Sequence, residues 1–130
     1  MYAIPVIFYK PDGSLKDYQQ NTAQQLDIMP TVLGFLGYDQ PFFSFGFDVN
    51  KTADRFTINY NNGTYQLCTD RYVLLFDGQK TTGLYEISSG MSNNLEGKLP
   101  DVQNELEMKA KAFLQEYTTR MVENRLIVNP

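Results

Sequence analysis

At Arg55 the apolar residues fall into a step of two. Phe56-Thr57-Ile58-Asn59-Tyr60 alternates, Asn61-Asn62-Gly63 carries a tight-turn signal, and Thr64-Tyr65-Gln66-Leu67-Cys68-Thr69 returns. Asp70 opens another turn before residues 71–76 (RYVLLF), and Asp77-Gly78-Gln79-Lys80 opens the next before residues 82–87 (TGLYEI). Alternation of this kind gives each strand one apolar face. It predicts an antiparallel meander of about four strands with one face buried. Such a face needs a cover, and the sequence supplies one after the turn-rich residues 88–100. From Asp101 to about Leu126, residues Val102, Leu106, Ala110, Phe113, Tyr117 and Met121 recur at steps of three and four. Leu114 and Val122 widen that stripe. Pro100 and Asp101 mark the start of a long helix, and Glu105 and Glu107 lie near its positive end. The expected fold is α+β, with the C-terminal helix laid across the meander.

The first fifty residues read differently. Residues 4–9 (IPVIFY) form a short apolar run that ends at the turn Lys10-Pro11-Asp12-Gly13. A continuous apolar run between turns suggests a strand buried on both faces, as in a parallel or mixed sheet. No other run of that kind occurs in the chain, so its neighbours are expected in a larger sheet. Residues 14–25 are polar, loop with some helix. In residues 26–37 (LDIMPTVLGFLG), Asp27 is placed to cap a helix N-terminus and Pro30 falls in the first turn. Ile28, Val32, Phe35 and Leu36 share a face, and Gly37 is the stop. This predicts a short buried helix. Residues 38–51 form a loop carrying Phe42, Phe43, Phe45 and Phe47 with Pro41 and Gly46. Aromatics in such a loop pin it to the core; the competing reading is a substrate lip or docking surface. The expected division is therefore 1–50, the edge of a larger α/β domain, and 51–130, a small α+β subdomain.

Composition removes several function classes. The chain has 130 residues, one ordinary domain, with a net charge of -4 and scattered basic residues. Nucleic acid and anionic membrane surfaces need concentrated positive charge, so neither is an expected partner. No apolar run approaches the length of a membrane span, and the N-terminus lacks the basic start and apolar stretch of a signal peptide. The single cysteine, Cys68, sits in a strand pattern and reads as a core residue, with nothing nearby to activate it. The chain contains no histidine. That removes the commonest general base and the commonest transition-metal ligand together.

The remaining site chemistries find no support. There is no Cys/His cluster for zinc and no Gly-rich phosphate loop. Asp12, Asp17, Asp27, Asp39, Asp48, Asp70 and Asp77 occur singly, mostly beside turn residues, where Asp is the expected type. Asp48-Val49-Asn50 is too short to form a calcium loop. Glu105, Glu107, Glu116 and Glu123 read as a solvated helix face, with Glu107–Lys111 and Glu116–Arg120 as i,i+4 pairs. No residue is assigned to catalysis, to a cofactor or to a metal.

Three segments, in order, resemble the C-terminal region of sulfatase-like proteins of the alkaline phosphatase superfamily. The branch they look nearest to is the lipoteichoic-acid-synthase-like and phosphoethanolamine-transferase-like one. Ile4-Pro5-Val6-Ile7-Phe8-Tyr9 looks like the strand after that family's last metal-ligand region. Gln25-Leu26-Asp27-Ile28-Met29-Pro30-Thr31-Val32-Leu33 with Leu36-Gly37 is similar to its D-I-x-P-T-[IVL]-L…L-G helix, the most specific of the three. Gly83-Leu84-Tyr85-Glu86-Ile87 with Asn93-Asn94-Leu95 resembles its L-Y-D-L…N-L segment. Residues 88–92 depart from the acidic, Asp-Pro-containing turn often found there.

The resemblance implies a parent enzyme that uses a divalent metal held by Asp and His, and a Thr, Ser or formylglycine nucleophile. Those residues would lie upstream, and no position here matches them. What it implies for this chain is the C-terminal portion of a sulfatase-like hydrolase or phospho-group transferase, inactive alone. The partner implied is the upstream catalytic domain, and the location implied is the outer side of a membrane-anchored parent. The isolated chain is expected to self-associate, as a homodimer through its N-terminal segment. The alternative is a stand-alone binding module that uses the Phe-rich loop.

Overall fold

The computed structural model describes residues 5–16, 18, 22–51 and 54–128. The expected meander is present as β1 (Thr57–Asn61), β2 (Thr64–Cys68), β3 (Tyr72–Phe76) and β4 (Thr81–Glu86). The strands pair antiparallel in sequence order. Asn62 and Gly63 both hold positive φ, 48° and 80°, the conformation a two-residue hairpin turn of this twist demands. Register then aligns Ile58, Leu67, Leu74 and Leu84 in one row across the sheet.

The helix α2 (Pro100–Val122) covers that row, with Leu106 and Ala110 buried against it. Pro100 opens the helix, where a missing N–H does no harm. Leu67, Leu74 and Leu84 are fully buried, and each contributes roughly 1.5–3 kcal/mol through loss of apolar surface to water. The apolar stripe of α2 serves the core only as far as Leu114. Beyond it Tyr117, Met121 and Val122 are exposed, because the sheet beneath them has ended. The outer edge of β4 is closed by the following turn. Leu84 N–H donates to Asn94 Oδ1 at 3.1 Å, and Leu95 N–H donates to the Leu84 carbonyl at 2.7 Å. A covered edge offers no template for unwanted pairing.

Upstream, a 3-10 turn (Gln25–Asp27) runs directly into α1 (Ile28–Phe35). Gly37, at φ 68°, ends α1 as expected. Its N–H reaches the Gly34 carbonyl at 3.2 Å, and Tyr38 N–H reaches Leu33 at 3.0 Å, the paired bonds of a Schellman stop.

Three sequence expectations need correction here. Residues 5–9 form no strand; they have no ladder partner among the described residues, and Ile7 and Tyr9 are 83% and 82% exposed. Ile4 lies outside the described residues, as does Asp17. A strand of the doubly buried kind needs sheet neighbours, and the sheet β1-β2-β3-β4 does not include this segment. Asp27 is not the N-cap residue of α1, because its own backbone is already helical; its carboxylate instead accepts the Gln24 N–H in a capping box at the start of the 3-10 turn that leads into the helix. Finally, α1 forms where expected but is not buried by its apolar stripe. Ile28, Val32, Phe35 and Leu36 face outward, and the buried residues of α1 are Pro30 and Thr31.

Candidate functional site

α1 is packed through its polar side. Asp27, Thr31 and Gly34 recur at helical spacing, opposite the apolar stripe. Asp27 and Thr31 are each only 3% exposed, so their polar atoms need partners. They find them in the loop that follows. Asp27 Oδ1 accepts from Phe47 N–H at 2.8 Å, while Oδ2 accepts from Gln24 N–H at 2.9 Å. Thr31 Oγ1 accepts from Val49 N–H at 3.1 Å and donates to the Phe47 carbonyl in a longer bond of 3.4 Å. Arg55, almost buried, donates from Nη1 to the Val49 carbonyl at 3.0 Å. Both backbone groups of Val49 are thus held by side chains.

Two glycines allow this closeness. A Cβ on Gly46 would stand 2.0 Å from the Leu26 carbonyl oxygen and 2.6 Å from Asp27 N. A Cβ on Gly34 would stand 2.1 Å from an Asp48 carboxylate oxygen. Leu26 through Gly34 and Gly46 through Val49 therefore interlock as one unit, backbone against backbone at Gly46 and backbone against the Asp48 side chain at Gly34.

The Phe side chains fasten the same unit to α2. Phe45 lies 5.4 Å from both Phe113 and Tyr117, ring centre to ring centre, and Phe47 lies 5.4 Å from Phe56. Phe43 meets Phe45 edge-on at 4.8 Å and carries the Arg120 guanidinium over its ring at 3.9 Å. Phe42 alone of the four is exposed, at 41%. Three of the four are committed inward, which favours the anchoring reading of this loop over the docking one.

Between α1 and the loop lies an open cleft of about 330 Å³, lined by Pro30, Gly34, Tyr38, Phe42, Ser44 and Asp48 among others. Its charged pair is Asp48 and Lys51, 3.4 Å apart, which neutralise each other. Ser44 Oγ accepts from Gly46 N–H at 2.9 Å, a turn-stabilising bond. The sequence has no imidazole to activate that hydroxyl, and the Asp48 carboxylate in the same cleft is paired with Lys51. Among the described residues, no group of three or more Cys, Asp or Glu side chains is placed to hold a metal ion. No described helix is long and apolar enough to cross a membrane.

Five of the aspartates divide into two kinds, while Asp39 accepts from the adjacent Gln40 side chain, at 2.8 Å. Asp12, Asp48 and Asp77 take the turn roles expected, accepting from backbone N–H groups two or three residues ahead. The Lys10 ammonium, then the Ser14 N–H, holds Asp12 below the usual carboxylate range, and the Lys80 and Gln79 N–H groups do the same for Asp77. Asp27 and Asp70 instead hold distant segments. Asp70 accepts from Thr22 N–H at 2.6 Å, 48 residues away, and this bond lowers its pKa. Nothing in a turn pattern signals such a partner. Glu107 is likewise more than a solvated acid. It accepts from Thr81 Oγ1 at 2.6 Å as well as from Lys111 at 2.6 Å. The Lys111 bond, then the Thr81 bond, pulls its carboxyl below the ordinary glutamate value. Cys68 is buried, and burial pushes its thiol pKa up, away from reactivity.

The sequence matches no protein-family model, and no curated protein or solved structure matches it either.

Proposed function

We propose that this chain is the C-terminal portion of a metal-dependent sulfatase-like hydrolase or phospho-group transferase, and that it works as a scaffold rather than as the catalyst. The observation that carries the reading is the orientation of α1. Its polar side is saturated by the loop at Phe47–Val49, while Ile28, Val32, Phe35 and Leu36 are left on the surface. An apolar helix face of this breadth is ordinarily covered, and residues 5–9 beside it are an unpaired apolar run. Lys10 Nζ lies 5.7 Å from the centre of the Phe35 ring, linking the end of that run to the same face. Strand-type run and helix together have the make-up of the last α/β unit of a larger sheet.

The motif geometry supports the same reading. Within the D-I-x-P-T segment, Asp27 and Thr31 act together on one loop. In the third segment, Asn94 and Leu95 close on Leu84, so the two halves of that motif meet at a single β4 residue. The second and third motifs thus each have a physical reason for their spacing. On this reading residues 1–50 belong to the edge of the catalytic domain, and 51–130 form a small subdomain beside its cleft. The upstream domain is the partner, and the parent is anchored with its catalytic domain outside the membrane. The divalent metal of such an enzyme does not fit the residues present. The chain has no histidine, and no three or more of the described Cys, Asp and Glu side chains are grouped to hold a metal ion.

The experiment is a turnover assay of the isolated chain with an aryl sulfate and a phosphodiester, with and without added divalent metal. No turnover is expected in any arm. Metal-dependent turnover that survives repurification would overturn the proposal.

A further inference from the structure

We propose that Asn62 is a site of spontaneous covalent modification, at which the β1–β2 turn converts to aspartyl and isoaspartyl forms. The reaction needs three things: an asparagine amide free of partners, an unhindered backbone nitrogen after it, and room for a ring. The turn supplies all three. Asn62-Gly63 is the one Asn-Gly step in the sequence. Both residues are exposed at the hairpin tip. The direction in which a Gly63 side chain would project is open, with no heavy atom within 4 Å. Among the described residues the Asn62 side chain has no hydrogen-bond partner. Asn94 is the internal contrast. Its side-chain oxygen accepts from the N–H groups of Leu84 and Glu96, at 3.1 and 3.0 Å, and a leucine follows it.

Hydroxide or a buffer base removes the proton from the Gly63 backbone nitrogen. That nitrogen attacks Asn62 Cγ, forming the N–Cγ bond, and the side-chain nitrogen leaves as ammonia. The five-membered succinimide then takes up one water. Opening at one carbonyl leaves a normal aspartyl linkage; opening at the other carries the chain through the side-chain carbon and adds one atom to the backbone. No oxidant, reductant or enzyme enters the balance.

The position decides the consequence. A two-residue turn of positive φ has no slack for an added backbone atom. Asn61↔Thr64 is the pair next to the turn, with Tyr60↔Tyr65 beyond it. In the sheet β1 pairs with β2 alone, so loosening at the tip spreads along this edge and spares the Leu67–Leu74–Leu84 row. Either product also adds one negative charge.

The test is ageing of the intact protein at 37 °C (a chosen condition) at neutral and mildly alkaline pH. Peptide mapping locates the converted asparagine, and isoaspartyl methyltransfer counts the isomer. Conversion is expected at Asn62 before any other asparagine, faster at the higher pH. In Asn62→Gln, where the ring would have to be six-membered, the isoaspartyl gain at position 62 is lost, and the total falls to what the slower Asp12-Gly13 and Asp77-Gly78 steps supply. Asn62→Asp carries the charge without the added backbone atom and so keeps the unaged Tyr60–Tyr65 contact. An unchanged Asn62 when another asparagine has converted, or undiminished isoaspartyl gain in Asn62→Gln, would overturn the proposal.

Discussion

Thr31 and Val49 are joined across 18 residues of sequence by a 3.1 Å bond from the Val49 amide to the Thr31 hydroxyl. That bond, with the 2.8 Å bond from Phe47 N–H to Asp27, turns the polar side of α1 into its packed side. The apolar side is left outward as a result.

Removing either acceptor leaves a buried N–H without a partner. Thr31→Val keeps the shape and is expected to cost about 1–3 kcal/mol, the penalty for an orphaned buried donor. Asp27→Asn, which can keep only part of the pair of bonds, should cost a similar amount. Urea unfolding followed by far-UV circular dichroism measures both. A change within experimental error in both variants would mean that the clamp does not hold the loop.

Gly46 should be more demanding than any other glycine in this part of the chain. The atoms that a Cβ would meet there belong to the Leu26 and Asp27 backbone, which cannot swing aside. Gly46→Ala is expected to destabilise by about 1–3 kcal/mol through overpacking. Gly63→Ala meets no neighbour, so its cost comes only from the positive φ of 80°. Comparing the two by thermal melts separates collision from backbone strain.

The outward face of α1 gives the opposite expectation. Phe35 and Leu36 are 53% and 70% exposed. The double variant Phe35→Glu, Leu36→Lys should change the stability of the isolated chain by no more than about 0.5 kcal/mol per site. It should also reduce self-association, read by sedimentation velocity. A loss of several kcal/mol would show that this face is packed within the chain itself.

Glu107 sets a pH signature. Lys111 and Thr81 lower its folded pKa below the ordinary glutamate value of 4.5. A depressed carboxylate contributes stability that is fully present above its unfolded pKa and is lost as pH falls through the folded one. Stability should therefore drop as pH falls below about 4.5. Glu107→Gln should flatten that acid limb. The check is the urea midpoint of both proteins across this range.

Much of the subdomain was legible because its signals are local. Asn62-Gly63 and Gly37 dictate positive φ at fixed places, and the step-two alternation sets which face of each strand is apolar. The start of α2 follows from Pro100 and Asp101, but the helix ends at Val122, short of the expected Leu126, and the sequence alone cannot say that the sheet ends before Tyr117. The α1 site was harder. Ile28, Val32, Phe35 and Leu36 identify a helix, yet periodicity cannot tell which face finds a partner. Asp27 looked like a helix cap because a cap and a long-range clamp use the same carboxylate. Glu107 looked solvated because nothing in a helix repeat points to Thr81, 26 residues earlier. One signal could have found the clamp: Asp27, Thr31 and Gly34 fall on one face, an odd run of small and polar residues opposite an apolar stripe.

The central claim is that the exposed face of α1 belongs against a catalytic domain encoded with this chain. Mapping the start of the transcript and reading its coding sequence upstream of Tyr2 tests it most directly. The account predicts an in-frame region carrying a Thr or Ser nucleophile together with Asp and His metal ligands. A short, intact gene that starts at Met1 behind its own promoter would contradict it.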